Sequence, residues 1–182
     1  MNIKLLDNAK EISEAFIDHF VMSWEEFQIR QKVWIAEMAN KNYPINIAWY
    51  EQSYMWDRMN PDFPRVSMEE ALAFLQEHSG SVLFMTEKGE DIYYQGKKSV
   101  DFIAEVDAHT LAKKIKQEWY DSYRLVEQNM YDVDVFLPDD LYVFDLSMKW
   151  CVVFTHETTD WESEIENPMK AAESRYCIIC KV

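Results

Sequence analysis

The residues best placed to do acid–base chemistry gather where the most apolar part of the chain ends. Thr155-His156-Glu157 closes the run 150–155, and Asp145 and Asp160 lie close by in sequence. Imidazole changes charge near neutral pH, so a His oriented by a carboxylate can act as a general base. On this spacing His156 with Asp145 or Glu157 forms a candidate catalytic set, and hydrolysis is the reaction it suits. The alternative is a half-buried His hydrogen-bonded for structure. No Ser or Cys nucleophile stands in a recognisable elbow motif to complete the machinery. His19, His78 and His109 are scattered in or beside expected helices and read as surface or cap residues.

Cys177-Ile178-Ile179-Cys180 is the other spacing with chemical meaning. A structural zinc needs four ligands, and a redox CxxC needs a helix N-terminus to depress its thiol pKa. This motif instead falls in a terminal strand, where positions three apart point to opposite faces. The third cysteine is Cys151, and no second CxxC or HxxxH is present. Packing cysteines are expected, and neither a metal nor a cofactor. Calcium loops and phosphate-cradling glycine loops are missing too, because the three glycines, Gly80, Gly89 and Gly96, are isolated.

Charge carries the second line of inference. The chain of 182 residues has a formal net charge of −15. Phosphate backbones and anionic membranes demand Lys and Arg, so nucleic acid and membrane are disfavoured as partners and a basic protein is favoured. The acids are also unevenly spread. From Asp132 to Asp145 there are five Asp and no base, and from Glu157 to Glu166 five acids and no base. Aromatic residues are abundant, with seven Trp, ten Tyr and ten Phe, more than a minimal core needs. Trp49, Tyr50, Tyr54 and Trp56 form one concentration, which is either core or the lining of a pocket. A small-molecule sensor built on 43–56 is a third functional expectation.

The elements that must position these groups follow from periodicity. Two β-branched and aromatic runs, 141–146 and 150–155, flank Ser147-Met148-Lys149 and predict a β-hairpin; 175–182 predicts a third strand. Each strand is apolar on both alternating faces, which predicts a central position covered on both sides. Apolar spacing predicts helices over 8–20 and 24–40, the second opened by a Ser23/Glu26 capping box and carrying a face of Trp24, Phe27, Gln31, Trp34, Ile35 and Met38. A helix over 45–59 starts after Pro44, and Ser67 with Glu70 caps a short one ending at Ser79-Gly80. Strands are expected at 81–87, 92–94 and 100–106, and Asp107 caps a helix over 108–129 with Leu111, Ile115, Trp119, Tyr123 and Val126 on one stripe. The fold class is α+β: N-terminal helices packed on a mainly antiparallel sheet centred on the 141–155 hairpin and the 175–182 strand. One domain over 1–182 is expected, with a helical subregion over 1–80. Absence of a signal-like N-terminus, of a long apolar run and of paired cysteines leads to a cytoplasmic location.

Antiparallel pairing brings Asp139-Asp140, at the start of the hairpin, to the same sheet edge as 158–166, just beyond its end. The expected partner-binding set on that solvent-facing rim is Asp139, Asp140, Asp160, Glu162 and Glu164, with Trp161 as the anchor. The segment Leu141-Tyr142-Val143-Phe144-Asp145, followed by Trp150-Cys151-Val152-Val153-Phe154-Thr155-His156-Glu157, resembles a pattern in small bacterial proteins, several families of which are regarded as immunity proteins that neutralise a toxin. That resemblance implies a bacterial, cytosolic, non-catalytic binder. A protein-binding module with an acidic face, of which an immunity-type inhibitor of a basic toxin is one form, is the leading expectation, and a His156 hydrolase the alternative.

Overall fold

The computed structural model describes residues 1–41, 54–87, 91–94, 97–100, 102–125, 137, 140–158 and 175–182; for 91–94, 97–100, 118–125 and 158 the description is of the backbone. In chain order the elements are β1 (Lys4–Leu5), α1 (Ala9–Phe20), α2 (Trp24–Asn40), a 3-10 turn (Met55–Arg58), β2 (Arg65–Ser67) and α3 (Met68–Glu77). They continue with β3 (Ser81–Thr86), β4 (Asp91–Tyr94), β5 (Lys97–Val100), β6 (Ile103–Asp107), α4 (Ala108–Leu125), β7 (Leu141–Phe144), β8 (Trp150–Thr158) and β9 (Arg175–Lys181). Seven strands form one sheet in the order β1-β6-β3-β7-β8-β9-β2, while β4 and β5 pair separately. Every pairing is antiparallel. The expected hairpin is therefore real and central: Leu141 lies opposite Phe154 and Phe144 opposite Cys151, with β7 the middle strand. The class is α+β, as the periodicities required.

Alternation along the strands divides the core in two. Leu141, Val143, Val152 and Phe154 face one side, with Leu72 and Leu75 of α3 and Leu111 and Ile115 of α4. Tyr142, Phe144, Cys151 and Val153 face the other, with Ile12, Phe16 and Phe20 of α1 and with Met55, Trp56 and Met59. Phe16 sits at the centre of that second layer, 4.8 Å from the Phe144 ring and 5.8 Å from Tyr142. Each large apolar side chain fully buried in this way stabilises the fold by about 1.5–3 kcal/mol. The β-branched and aromatic strands were thus buried twice over because helices cover both faces.

Several local expectations need correcting. The helix expected over 45–59 falls partly outside the described residues, and its described end is a 3-10 turn bounded by extended Tyr54 and Met59. The reason lies in the backbone donors. The Met55 N–H goes to Glu87 Oε2 (2.9 Å), the Trp56 N–H to the Tyr142 hydroxyl (3.1 Å) and the Tyr54 N–H to Asp57 Oδ2 (3.0 Å), so the donors an α-helix would use are taken. A strand expected over 100–106 is divided between β5 and β6. Helix α2 forms and Ser23 Oγ accepts from the Glu26 N–H (3.2 Å), but none of its residues is buried. Trp24 and Trp34 of the anticipated apolar face remain 44% and 37% exposed. By contrast, the Ser67/Glu70 capping box is complete in both directions, and Asp107 Oδ1 accepts from the Thr110 N–H at 2.8 Å. Of the α4 stripe, Leu111 and Ile115 are fully buried; the side chains of Trp119, Tyr123 and Val126 lie outside the described residues. Among the described residues, no helix is long and apolar enough to cross a membrane.

Candidate functional site

The end of the sheet where β7 begins and β8 finishes brings Asp140 and His156 together with Glu157, Glu87 and Asp57. Its base is Asp140, a carboxylate only 1% exposed. Asp140 Oδ1 accepts from the His156 backbone N–H (3.0 Å), and its two oxygens lie 3.0 and 2.8 Å from His156 Nδ1. In this contact the carboxylate oxygens accept and Nδ1 donates. Nε2 lies 3.8 Å from Glu157 Oε1, and the His156 side chain is 33% exposed. The imidazole is walled by the edge-on ring of Tyr54, at 4.7 Å between centroids, and by Trp56 at 5.9 Å.

A second polar group lies against the same wall. Glu87, just past the end of β3, accepts from the Tyr142 hydroxyl as well as from the Met55 N–H. Burial pushes the Tyr142 phenol well above its ordinary value, and the neighbouring Glu87 carboxylate adds to this. Asp57 is raised from 3.8 to about 6, first by burial, then by the negative charges of Glu157 and Glu87; the Tyr54 N–H and the His156 ring work in the opposite direction. Tyr176 is also pushed up, by burial and then by Glu157 and Asp57. Carboxylates thus crowd one end of the molecule around two stacked rings, Tyr54 and Trp56, whose centroids are 5.5 Å apart. Among the described residues, no three of His, Cys, Asp and Glu are disposed to hold a metal ion.

Set against the sequence reading, the structure joins His156 to Glu157 but separates both from Asp145. Asp145 sits in the turn at the other end of the hairpin, accepting from the N–H groups of Lys149 (2.9 Å) and Trp150 (3.2 Å). From Cys151, beside that turn, to His156 the strand runs about 17 Å at its usual rise. Burial opposes ionisation of Asp145, yet the Ser147 hydroxyl and the turn N–H groups outweigh it and hold its pKa below the ordinary value. The carboxylate that orients His156 is Asp140 instead. Asp140, expected on the solvent-facing rim, is therefore corrected to a buried partner. Asp139, Asp160, Trp161, Glu162 and Glu164 lie outside the described residues.

Asp57, Glu87 and Tyr142 are the members that sequence reasoning did not single out, whereas Tyr54 and Trp56 stood in the aromatic concentration it did. A signal for Asp140 was available: counting outward from the turn on both strands brings His156 level with the residues just before Leu141. Nothing in the sequence joins Asp57 or Glu87 to them. The cysteines behave as strand alternation required, with Cys177 on one face of the sheet, Cys180 on the other, and all three free and buried. Burial raises the thiol pKa values of Cys151 and Cys177, which keeps them unreactive. Compared with family models, curated proteins and solved structures, the chain matches none.

Proposed function

We propose that the protein is a non-enzymatic, cytoplasmic binding module that receives a basic protein on the acidic end of its sheet, an immunity-type inhibitor of a basic bacterial toxin being the concrete form. The observation that carries this reading is the gathering of Asp57, Glu87 and Glu157 beside exposed Tyr54, where the two glutamates add to the burial that raises Asp57 to about 6. Like charges held together raise one another's free energy, and a lysine or arginine brought between them relieves it. Tyr54 beside them is 38% exposed. The remaining rim acids, Asp139, Asp160, Glu162 and Glu164, and the anchor Trp161 belong to the proposal as residues that steer and hold the partner.

A cation favours ionised Asp57, so affinity for the partner rises with pH through about 6. The test is capture from a lysate with the wild-type chain and with an Asp57→Asn/Glu157→Gln variant, at low and high salt. A basic protein, identified by mass, is expected on the wild type at low salt and is reduced both by salt and by the substitutions. Recovery of nothing basic, or equal recovery by the variant, sinks the reading.

The His156–Asp140 contact of 2.8 Å favours a second reading, a hydrolase in which Asp140 takes the orienting part expected of Asp145. It requires turnover of an ester, amide or phosphoester that disappears in His156→Ala. A panel with no substrate turned over by the wild type removes it.

A further inference from the structure

Helix α2 is apolar on two opposite sides. At about 100° per residue, positions 27, 31, 35 and 38 share one side and 29, 33 and 36 the other. The first set is half-buried and so marks the side turned to the molecule, while the second is exposed throughout. Ile29 and Val33, one turn apart, are 57% and 56% exposed, and Ala36 carries the stripe a turn further. Single apolar side chains are ordinary on a surface, but three aligned along a helix make a seam of the kind on which helices pair.

The charges beside this seam identify its occupant. Glu26 and Arg30 lie along one flank, 3.2 Å apart, and Glu25 and Lys32 along the other, all four exposed. On each flank the acid is nearer the N-terminus and the base nearer the C-terminus. A two-fold axis reverses the helix direction and sets each flank against the same flank of the other copy. With that axis passing beside Gln28, Glu26 comes level with Arg30 of the second copy, and Glu25 with its Lys32, to within about one residue. The two flanks are independent of each other and require the same axis. We propose that α2 pairs antiparallel with α2 of a second copy of this chain. Ile29 meets Ile29 of the second copy at the axis, and Val33 lies against the first turn of the opposite helix. A basic partner finds two acids and two bases here and no net attraction, whereas a second copy satisfies all of them. The face is small and each copy carries a charge of −15, so the dimer belongs to the weak class and is favoured where salt screens the long-range repulsion. This inference goes beyond the acidic end of the sheet and does not depend on it.

Sedimentation velocity on the full chain from roughly 10 to roughly 500 µM at physiological salt tests it. A monomer at the low end and a reversible dimer at the high end are expected. Ile29→Gln with Val33→Gln is expected to stay monomeric across that range while its circular dichroism remains that of the wild type. Two charge variants test the register: Glu25→Lys with Glu26→Lys, and Arg30→Glu with Lys32→Glu. Each alone is expected to be monomeric, because its flanks repel their own copies, and an equimolar mixture of the two to form a dimer. The apolar variant keeps the test decisive if a charge variant fails to fold. A wild type that is monomeric throughout overturns the proposal. So does a dimer that survives Ile29→Gln with Val33→Gln, which puts the contact on another face, or a mixture of folded charge variants that stays monomeric.

Discussion

Asp140 is where burial and charge meet most directly. Its carboxylate is out of water, and three contacts from one residue, the His156 N–H and ring Nδ1, compensate it. Removing that acceptor strands two donors, so Asp140→Ala is expected to destabilise by about 2–3 kcal/mol in urea unfolding. A change below about 0.5 kcal/mol would mean that the pair contributes nothing net. Asp57 behaves in the opposite sense. Its folded pKa of about 6 lies above the ordinary 3.8, so the folded chain holds that proton more tightly than the unfolded one. The stability this contributes is fully present below the ordinary value and is lost as pH rises through about 6. Asp57→Asn keeps an acceptor for the Tyr54 N–H and removes the titration. Its unfolding midpoint relative to wild type is therefore expected to rise between about pH 4 and about pH 7; parallel profiles would contradict the raised value.

At the scale of elements, the sequence was most legible where local rules and tertiary contacts agree. Ser67 and Glu70 form a capping box that needs nothing beyond its own turn, and Ser67→Ala is expected to lower stability by about 1 kcal/mol. The hairpin was legible for the same reason, but its first strand stops at Phe144 rather than 146, because Asp145 enters the turn and gathers the N–H groups of Lys149 and Trp150 while Met148 takes a φ of 55°. Failure came where side chains distant in sequence seize backbone donors. Tyr142 and Glu87 cut short the helical pattern that runs through Met55 and Trp56, and no periodicity in that segment announces them. Helix α2 shows the limit of amphipathic reading in another way. Ile29 and Val33 are 57% and 56% exposed, so Ile29→Gln with Val33→Gln is expected to change stability by less than about 0.5 kcal/mol. Thermal unfolding that shifted markedly would show an apolar contact made by that face.

At the scale of the whole molecule, charge and topology act together. A surplus of acids over a chain of net charge −15 is first a field, and that field speeds encounter with basic molecules while salt screens it. Association with a basic partner is therefore expected to slow severalfold between low and physiological salt, with dissociation changing less. Stopped-flow rates at two ionic strengths check this. An association rate indifferent to salt would detach the net charge from binding.

Composition and period, taken alone, determined the α+β class, the central hairpin, the doubly apolar strands and the packing of the cysteines. These depend on spacing along one chain, which antiparallel pairing converts directly into place. Only the tertiary structure decided that Asp140 is a buried partner rather than a steering charge, that Asp145 stands at the far end of the hairpin from His156, and that Asp57 and Glu87 join the same end. A carboxylate's role depends on what covers it and which donors reach it, and those neighbours come from β3 and the 54–59 segment, remote in sequence from the hairpin.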